Sequence, residues 1–191
     1  ISRLSRPSLK LGIGIWNPSL LVFALQMMLM LVLGHVLALT KPIESLIKKA
    51  TFYCNNTANA SAIITFFTIL VALFNWGLGL IFGAIFARKV AENASINNIK
   101  INYPLIGASG YSGLMVWHGG ISGSAPIKIA EKGHFLEKQI GVISQAETIF
   151  SSMNISISLL LLIFLPIIMY LIGKNNEGSY IQIKTKNEKD K

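Results

Sequence analysis

Residues 105–126 read LIGASGYSGLMVWHGGISGSAP, a block of 22 residues with no charge and with six glycines between Gly107 and Gly123. The block is apolar enough to enter a bilayer. Each Gly costs about 1 kcal/mol relative to Ala in a helix interior, so six of them are too many for one continuous helix. Backbone that leaves the helix at membrane depth survives only where protein buries it or a wet cavity lines it, because each unpaired N–H or C=O there costs several kcal/mol. The stretch therefore predicts a broken helix or re-entrant hairpin, with a helical arm to about Trp117 and an open tip at Gly119–Ser124.

The rest of the chain supports a membrane setting. Of 191 residues, 52% are hydrophobic and 13% charged, against about 25% charged in an ordinary soluble domain. Mean hydropathy is +0.58. Four windows, 11–40, 50–87, 101–127 and 148–173, hold no Asp, Glu, Lys or Arg, and together they make up 121 residues. Windows of this length can cross a hydrocarbon core of about 30 Å, which points to an all-α polytopic membrane protein. The 17 Lys and Arg sit at window ends, in loops and in the last 18 residues. Basic residues so placed contact headgroups and orient spans, so the net charge of +9 does not argue for nucleic acid. Cys54 is alone, which excludes an internal disulfide and a thiol metal site. Neither a metal nor a cofactor is expected. The Asn-x-Ser/Thr matches at Asn55, Asn59, Asn93 and Asn154 read as chance in an Asn-rich chain, and a start at Ile1 reads as a fragment or a processed form.

About three full spans are expected besides the hairpin. The first runs from Ser19 to Thr40, with Asn17 as N-cap, Pro18 at the first helical position, Trp16 at the interface and Lys41-Pro42 closing it. Gln26 and His35 are expected to turn toward neighbouring helices. The second runs from Ala62 to Ala87, and its centre, Asn75-Trp76-Gly77-Leu78-Gly79-Leu80, then Gly83, fits either close packing through the Gly79/Gly83 pair or an opened turn that exposes backbone to a solute. Lys128 to Asn154 is polar, with an amphipathic element at Ala130–Ile143. The last span, Ile155 to Gly173, contains Pro166. Two domains are expected, a transmembrane unit over 1–173 and a polar, basic, disordered tail over 174–191. The distribution of basic residues favours a cytoplasmic side holding 1–18, 88–104 and the tail.

Three stretches carry a family likeness: Gln26-Met27 through Gly34-His35-Val36-Leu37-Ala38, Asn75-Trp76-Gly77-Leu78-Gly79-Leu80-Ile81-Phe82-Gly83-Ala84 to Arg88, and Tyr103-Pro104-Leu105 through Tyr111-Ser112-Gly113 to Gly119-Gly120-Ile121-Ser122-Gly123-Ser124-Ala125-Pro126. With Gly141-Val142-Ile143 and Glu147 to Asn154 they resemble the bacterial short-chain fatty acid transporter family over nearly the whole chain. The resemblance implies secondary active, cation-coupled transport of small monocarboxylates such as butyrate or acetoacetate across the bacterial inner membrane, by a multi-pass carrier that is not an enzyme. It also implies members roughly twice as long, so that this chain is an N-terminal half whose partners are the substrate, a coupling proton or Na⁺, membrane lipid and a missing second half. Inverted-repeat carriers place substrate between such halves.

A monocarboxylate needs donors for its carboxylate and an apolar wall for its tail. An open turn at a half-helix N-terminus supplies N–H groups, so Gly119, Gly120, Ser122, Gly123 and Ser124 are the candidates for the anion, with Asn75 adding its amide. Tyr111, Trp117 and Trp76 are candidates for the tail pocket, and Gly77, Ser112 and Gly113 belong to the same motifs. His118 is the one residue of the third block able to titrate near neutrality, which makes it a candidate proton carrier or a neutral hydrogen-bonding group. Two other readings remain. Gly120-Ile121-Ser122-Gly123 also matches the G-x-S-G nucleophile motif of rhomboid-like intramembrane serine proteases, with His35 and His134 as the other histidines; a truncated, non-transporting membrane subunit is the third.

Overall fold

The structure is a computed structural model that describes residues 18–176 and Gly178. Trp16, the Asn17 cap and nearly all of the 174–191 tail lie outside the described residues. The described chain is all-helical: α1 (Pro18–Ala38), α2 (Lys41–Thr51), α3 (Thr57–Phe74), α4 (Trp76–Ile96), α5 (Tyr103–Tyr111) with a 3₁₀ continuation over Ser112–Val116, α6 (Ser124–Ala130), α7 (Glu137–Ile140) and α8 (Ser152–Asn175). Three of them, α1 from Leu20, α3 and α8, are long and apolar enough to cross a membrane.

Asparagine starts much of this architecture. The side-chain oxygens of Asn56, Asn75 and Asn102 accept from the backbone N–H of Asn59 (2.8 Å), Leu78 (2.9 Å) and Leu105 (3.2 Å), which caps α3, α4 and α5. Ser151 caps α8 through Asn154 N–H. Pro42 stands in the first turn of α2, where its missing N–H is harmless. That helix is amphipathic: Ile47 and Ala50 are buried, while Lys41, Glu44, Lys48 and Lys49 are exposed.

The Ala62–Ala87 span predicted from sequence is two helices. Asn75 is extended (φ −148°, ψ 113°), and the chain reverses there. α3 and α4 then run antiparallel: a Cβ on Gly79 would stand 2.7 Å from Ala72 Cα, one on Gly83 would stand 2.9 Å from Thr68 Cγ2, and the Phe67 and Phe86 rings meet at 6.4 Å. The close-packing reading holds, while the backbone groups freed at the turn are taken by the Gly-rich segment and not left open to a solute. The small residues serve close packing, because the far side of Gly83 lies against the Gly110 carbonyl of α5. Lipid tails are as apolar as leucine, so helices associate in a bilayer through van der Waals fit, which glycine permits by letting backbones touch.

α3 is the centre. It packs on α4, α5, the 3₁₀ turn and α8, and its Ala60, Ser61, Ile64, Thr65, Thr68, Ile69 and Ala72 are fully buried. α5 and the 3₁₀ turn run alongside it in the same direction, from the Asn102 N–H on Thr57 Oγ1 (3.0 Å) to Gly113 against Thr68 and Ala72. α8 runs opposite, with Gly173 against Ala58 and Leu161, Leu162 and Leu165 around Ile69, Ala72 and Val116. Pro166 is buried inside α8 without ending it, and the helix runs two residues past the predicted boundary at 173. α1 meets α4 along a narrow stripe, with Gly34 against the Gly77–Leu78 backbone, Met30 and Leu31 against Gly77, and Ala38 buried. Its Gln26 and His35 are exposed, not turned into the described bundle, since they lie off the stripe of α1 that meets α4. In the polar region only Glu137–Ile140 is helical inside the predicted amphipathic segment, and His134 is held there by Gly141 O (2.9 Å) and Leu136 N–H (3.2 Å).

Candidate functional site

The turn at Asn75 leaves a gap in the helical hydrogen-bond ladder, and the Gly-rich segment closes it. In an uninterrupted helix Trp76 N–H would bond Ala72 O, and Leu73 O would accept from Gly77 N–H. Here Trp76 N–H donates to Ser122 Oγ (3.0 Å) and Ile121 N–H donates to Leu73 O (2.7 Å). Two broken segments therefore satisfy each other inside the bundle. The fit requires glycine: a Cβ on Gly120 would stand 2.6 Å from Leu73 O, and one on Gly123 2.6 Å from His118 O.

The predicted helical arm stops earlier than expected, at Tyr111, and tightens into the 3₁₀ turn before the Trp117–Gly123 tip. The tip glycines also do not offer free amides. Gly119 and Gly120 N–H both bond Val116 O (3.0 Å each), and Gly123 N–H bonds Gly120 O (2.9 Å). The following helix, α6, is only seven residues long, so anion binding at a half-helix N-terminus gains no support.

The tip gathers Asn75, Trp76, Trp117, His118, Gly119, Gly120, Ser122, Gly123 and Ser124. Trp76 is buried and stacks on Trp117 (centroids 4.7 Å, tilt 32°), and Trp117 stacks on His118 (4.9 Å, 17°). His118 is exposed, and its Nδ1 lies 3.5 Å from Ser124 Oγ. Both indole Nε1–H groups are buried without a hydrogen-bond partner. An indole N–H only donates, and leaving such a donor unpaired costs about 1–3 kcal/mol. The hydroxyls of Thr65 and Thr68, lower on α3, are unpartnered as well.

Four predicted residues stand elsewhere. Tyr111 is 62% exposed, Ser112 returns its hydroxyl to Ser109 O (2.7 Å), Gly113 packs on α3 and Gly77 packs on Met30 and Leu31 of α1. One contributor is absent from the predicted set. Asn154 of α8 donates its amide to Gly119 O (2.9 Å) and Ile149 O (2.7 Å), fastening the tip to the last span. Two surface clefts, of about 660 and 630 Å³, lie away from the tip, the first between α1, α2 and α4 and the second between α2 and α3. Neither has the unpaired donors that mark the tip. Among the described residues no three His, Cys, Asp or Glu cluster as metal ligands.

The sequence profile described as "Short chain fatty acid transporter" matches residues 9–191. The chain belongs to the short-chain fatty acid transporter family. Among its relatives, an Escherichia coli (strain K12) protein bearing that name is 39% identical over 157 residues, covering 82% of this chain and 34% of the relative. A Haemophilus influenzae protein of the same name is 35% identical over 181 residues, covering 91% of this chain and 39% of the relative. The chain thus spans little more than a third of the length of these relatives, less than the half that the resemblance implied. No solved structure matches. Family membership and the three apolar helices make this a membrane protein of transporter type.

Proposed function

We propose that the protein takes part in cation-coupled secondary transport of small monocarboxylates across the bacterial inner membrane, as a multi-pass carrier with no catalytic role. Residues 1–173 form its membrane unit and 174–191 a polar tail. The relatives' names support the substrate class. The observation that carries the site is the meeting of the Asn75 turn with the Gly119–Ser124 tip: two helix breaks inside one bundle, with unpaired donors and no charged residue between Lys49 and Arg88 or between Lys100 and Lys128. A carboxylate held there is recognised by neutral donors, and its partner half comes from the length that the relatives have beyond this chain.

Among the described residues no histidine bonds to Ser122, which does not favour the protease reading. Ser122 Oγ accepts a backbone N–H, the histidine contact falls on Ser124, His35 is exposed and His134 is engaged in its own loop. A serine without an activating base does not attack a fluorophosphonate probe, so Ser122 should stay unlabelled. The deciding experiment reconstitutes the intact gene product in liposomes and measures uptake of radiolabelled butyrate and acetoacetate under imposed pH or Na⁺ gradients. Gradient-driven uptake above that of protein-free liposomes is expected; none for either substrate rejects the proposal.

A further inference from the structure

Two tryptophan side chains with buried, unpartnered donor groups meet at the one place where two broken helices complete each other's backbone hydrogen bonds. Packing alone does not account for this. Phenylalanine would supply the stacked aromatic surface with no unpaired N–H, and bilayer packing gains nothing from an unsatisfied donor. Ser122 adds to the set, since its oxygen accepts from Trp76 N–H and its hydroxyl still carries a proton to donate. The tip segment Trp117–Ser124 contains no Lys or Arg, and Lys128, one turn further along α6, is paired with Glu131 (2.7 Å). The donors at hand are therefore neutral, and the two indole N–H groups have no partner among the described residues, which suits a carboxylate: an acceptor-only group with about four lone-pair sites.

We infer that the indole N–H groups of Trp76 and Trp117, with the Ser122 hydroxyl, bind the substrate carboxylate, and that the two tryptophans select the anion instead of walling its alkyl tail. The inference rests on the transport reading above and deepens it by dividing the site. Both N–H groups are buried, so the carboxylate reaches them when the tip opens. Charge-assisted hydrogen bonds are about twice as strong as neutral ones, so a neutral isostere of the same shape gains less from the same donors.

The test uses the intact gene product in nanodiscs, binding of radiolabelled butyrate, and competition by unlabelled butyrate and by butyramide. At each position in turn, tryptophan is replaced by benzothienylalanine, in which sulfur stands for the N–H and the bicyclic shape is kept. Trp76→Phe and Trp117→Phe serve as second variants at each site. The expected result is a rise of about tenfold in the butyrate Kd per replaced N–H, with butyramide competition changed less than twofold. A parallel loss of both ligands, or no change in either, overturns the inference. Butyrate binding by the parent protein with no effect of N–H removal overturns the inference alone. A parent protein that binds no butyrate overturns both it and the transport reading.

Discussion

At Gly83 the packing leaves no room for a single carbon, because a Cβ would run into the Gly110 carbonyl, which is backbone and cannot swing aside. Gly83→Ala should lower the denaturation midpoint of the protein in mild detergent, by the equivalent of about 1–3 kcal/mol, the usual cost of overpacking. Gly107→Ala is the control, since nothing lies within 4 Å of its added Cβ and alanine is the better helix former. It should leave the midpoint unchanged or raise it, and equal losses at both positions would mean that the α4–α5 contact does not set the effect. The same crowding shapes Cys54, which lies between α2 and α3 at 1% exposure with its thiol directed at Ala50 O. Burial pushes that thiol up to about 12. Since the thiolate is the reactive form, Cys54 should resist maleimide at neutral pH in the folded protein and label fully after unfolding in SDS. Rapid labelling without detergent denaturation would show that this corner of the bundle opens.

The helix break at Asn75 makes a sharper test of an element. Its side-chain oxygen caps α4 through Leu78 N–H, and the break is one residue long with no proline to mark it. Asn75→Ala removes the cap and should destabilise the protein by about 1 kcal/mol. Asn75→Asp keeps an acceptor at the same atom and should retain the fold, while placing a negative charge beside the proposed anion site and so weakening butyrate uptake. Normal uptake by the Asp variant would argue against substrate lying at the tip. This element also shows what could be read from sequence. The Gly-rich segment announced itself, because six glycines in an uncharged block have few structural uses, and its broken backbone is what the structure contains. The reversal at Asn75 did not, since an uncharged window from 50 to 87 looks the same whether the chain crosses once or folds back, and only the small residues at 77, 79 and 83 hinted at a tight approach. α2 was missed because its apolar positions are few and Pro42 read as a stop. The partnership of Ser122 with Trp76, 46 residues apart, has no sequence signature at all.

For the whole molecule, charge decides what the proposed transport requires. The tip draws on windows without a single Lys, Arg, Asp or Glu, so binding a carboxylate there makes the moving assembly negative unless a cation travels with it. Carrying that charge into a negative-inside compartment costs about 2.3 kcal/mol per 100 mV, roughly a 50-fold bias against accumulation. One proton or one Na⁺ per carboxylate cancels the charge, and a neutral site has nothing with which to hold a second. Uptake by the intact gene product should therefore be electroneutral. In proteoliposomes, a valinomycin-imposed potential of either sign should leave butyrate accumulation unchanged once the protein-free background is subtracted, whereas collapsing the pH or Na⁺ gradient should abolish it. His118→Gln then separates the two ions. Exposed, stacked on Trp117 and in reach of Ser124, His118 is the titratable group at the tip, and its loss should flatten the dependence of uptake on external pH if the proton is the coupling ion. An unchanged pH profile removes the proton-carrying role from His118. Accumulation that grows with inside-negative potential would require more than one cation per carboxylate, and with it a cation site that the uncharged tip does not provide.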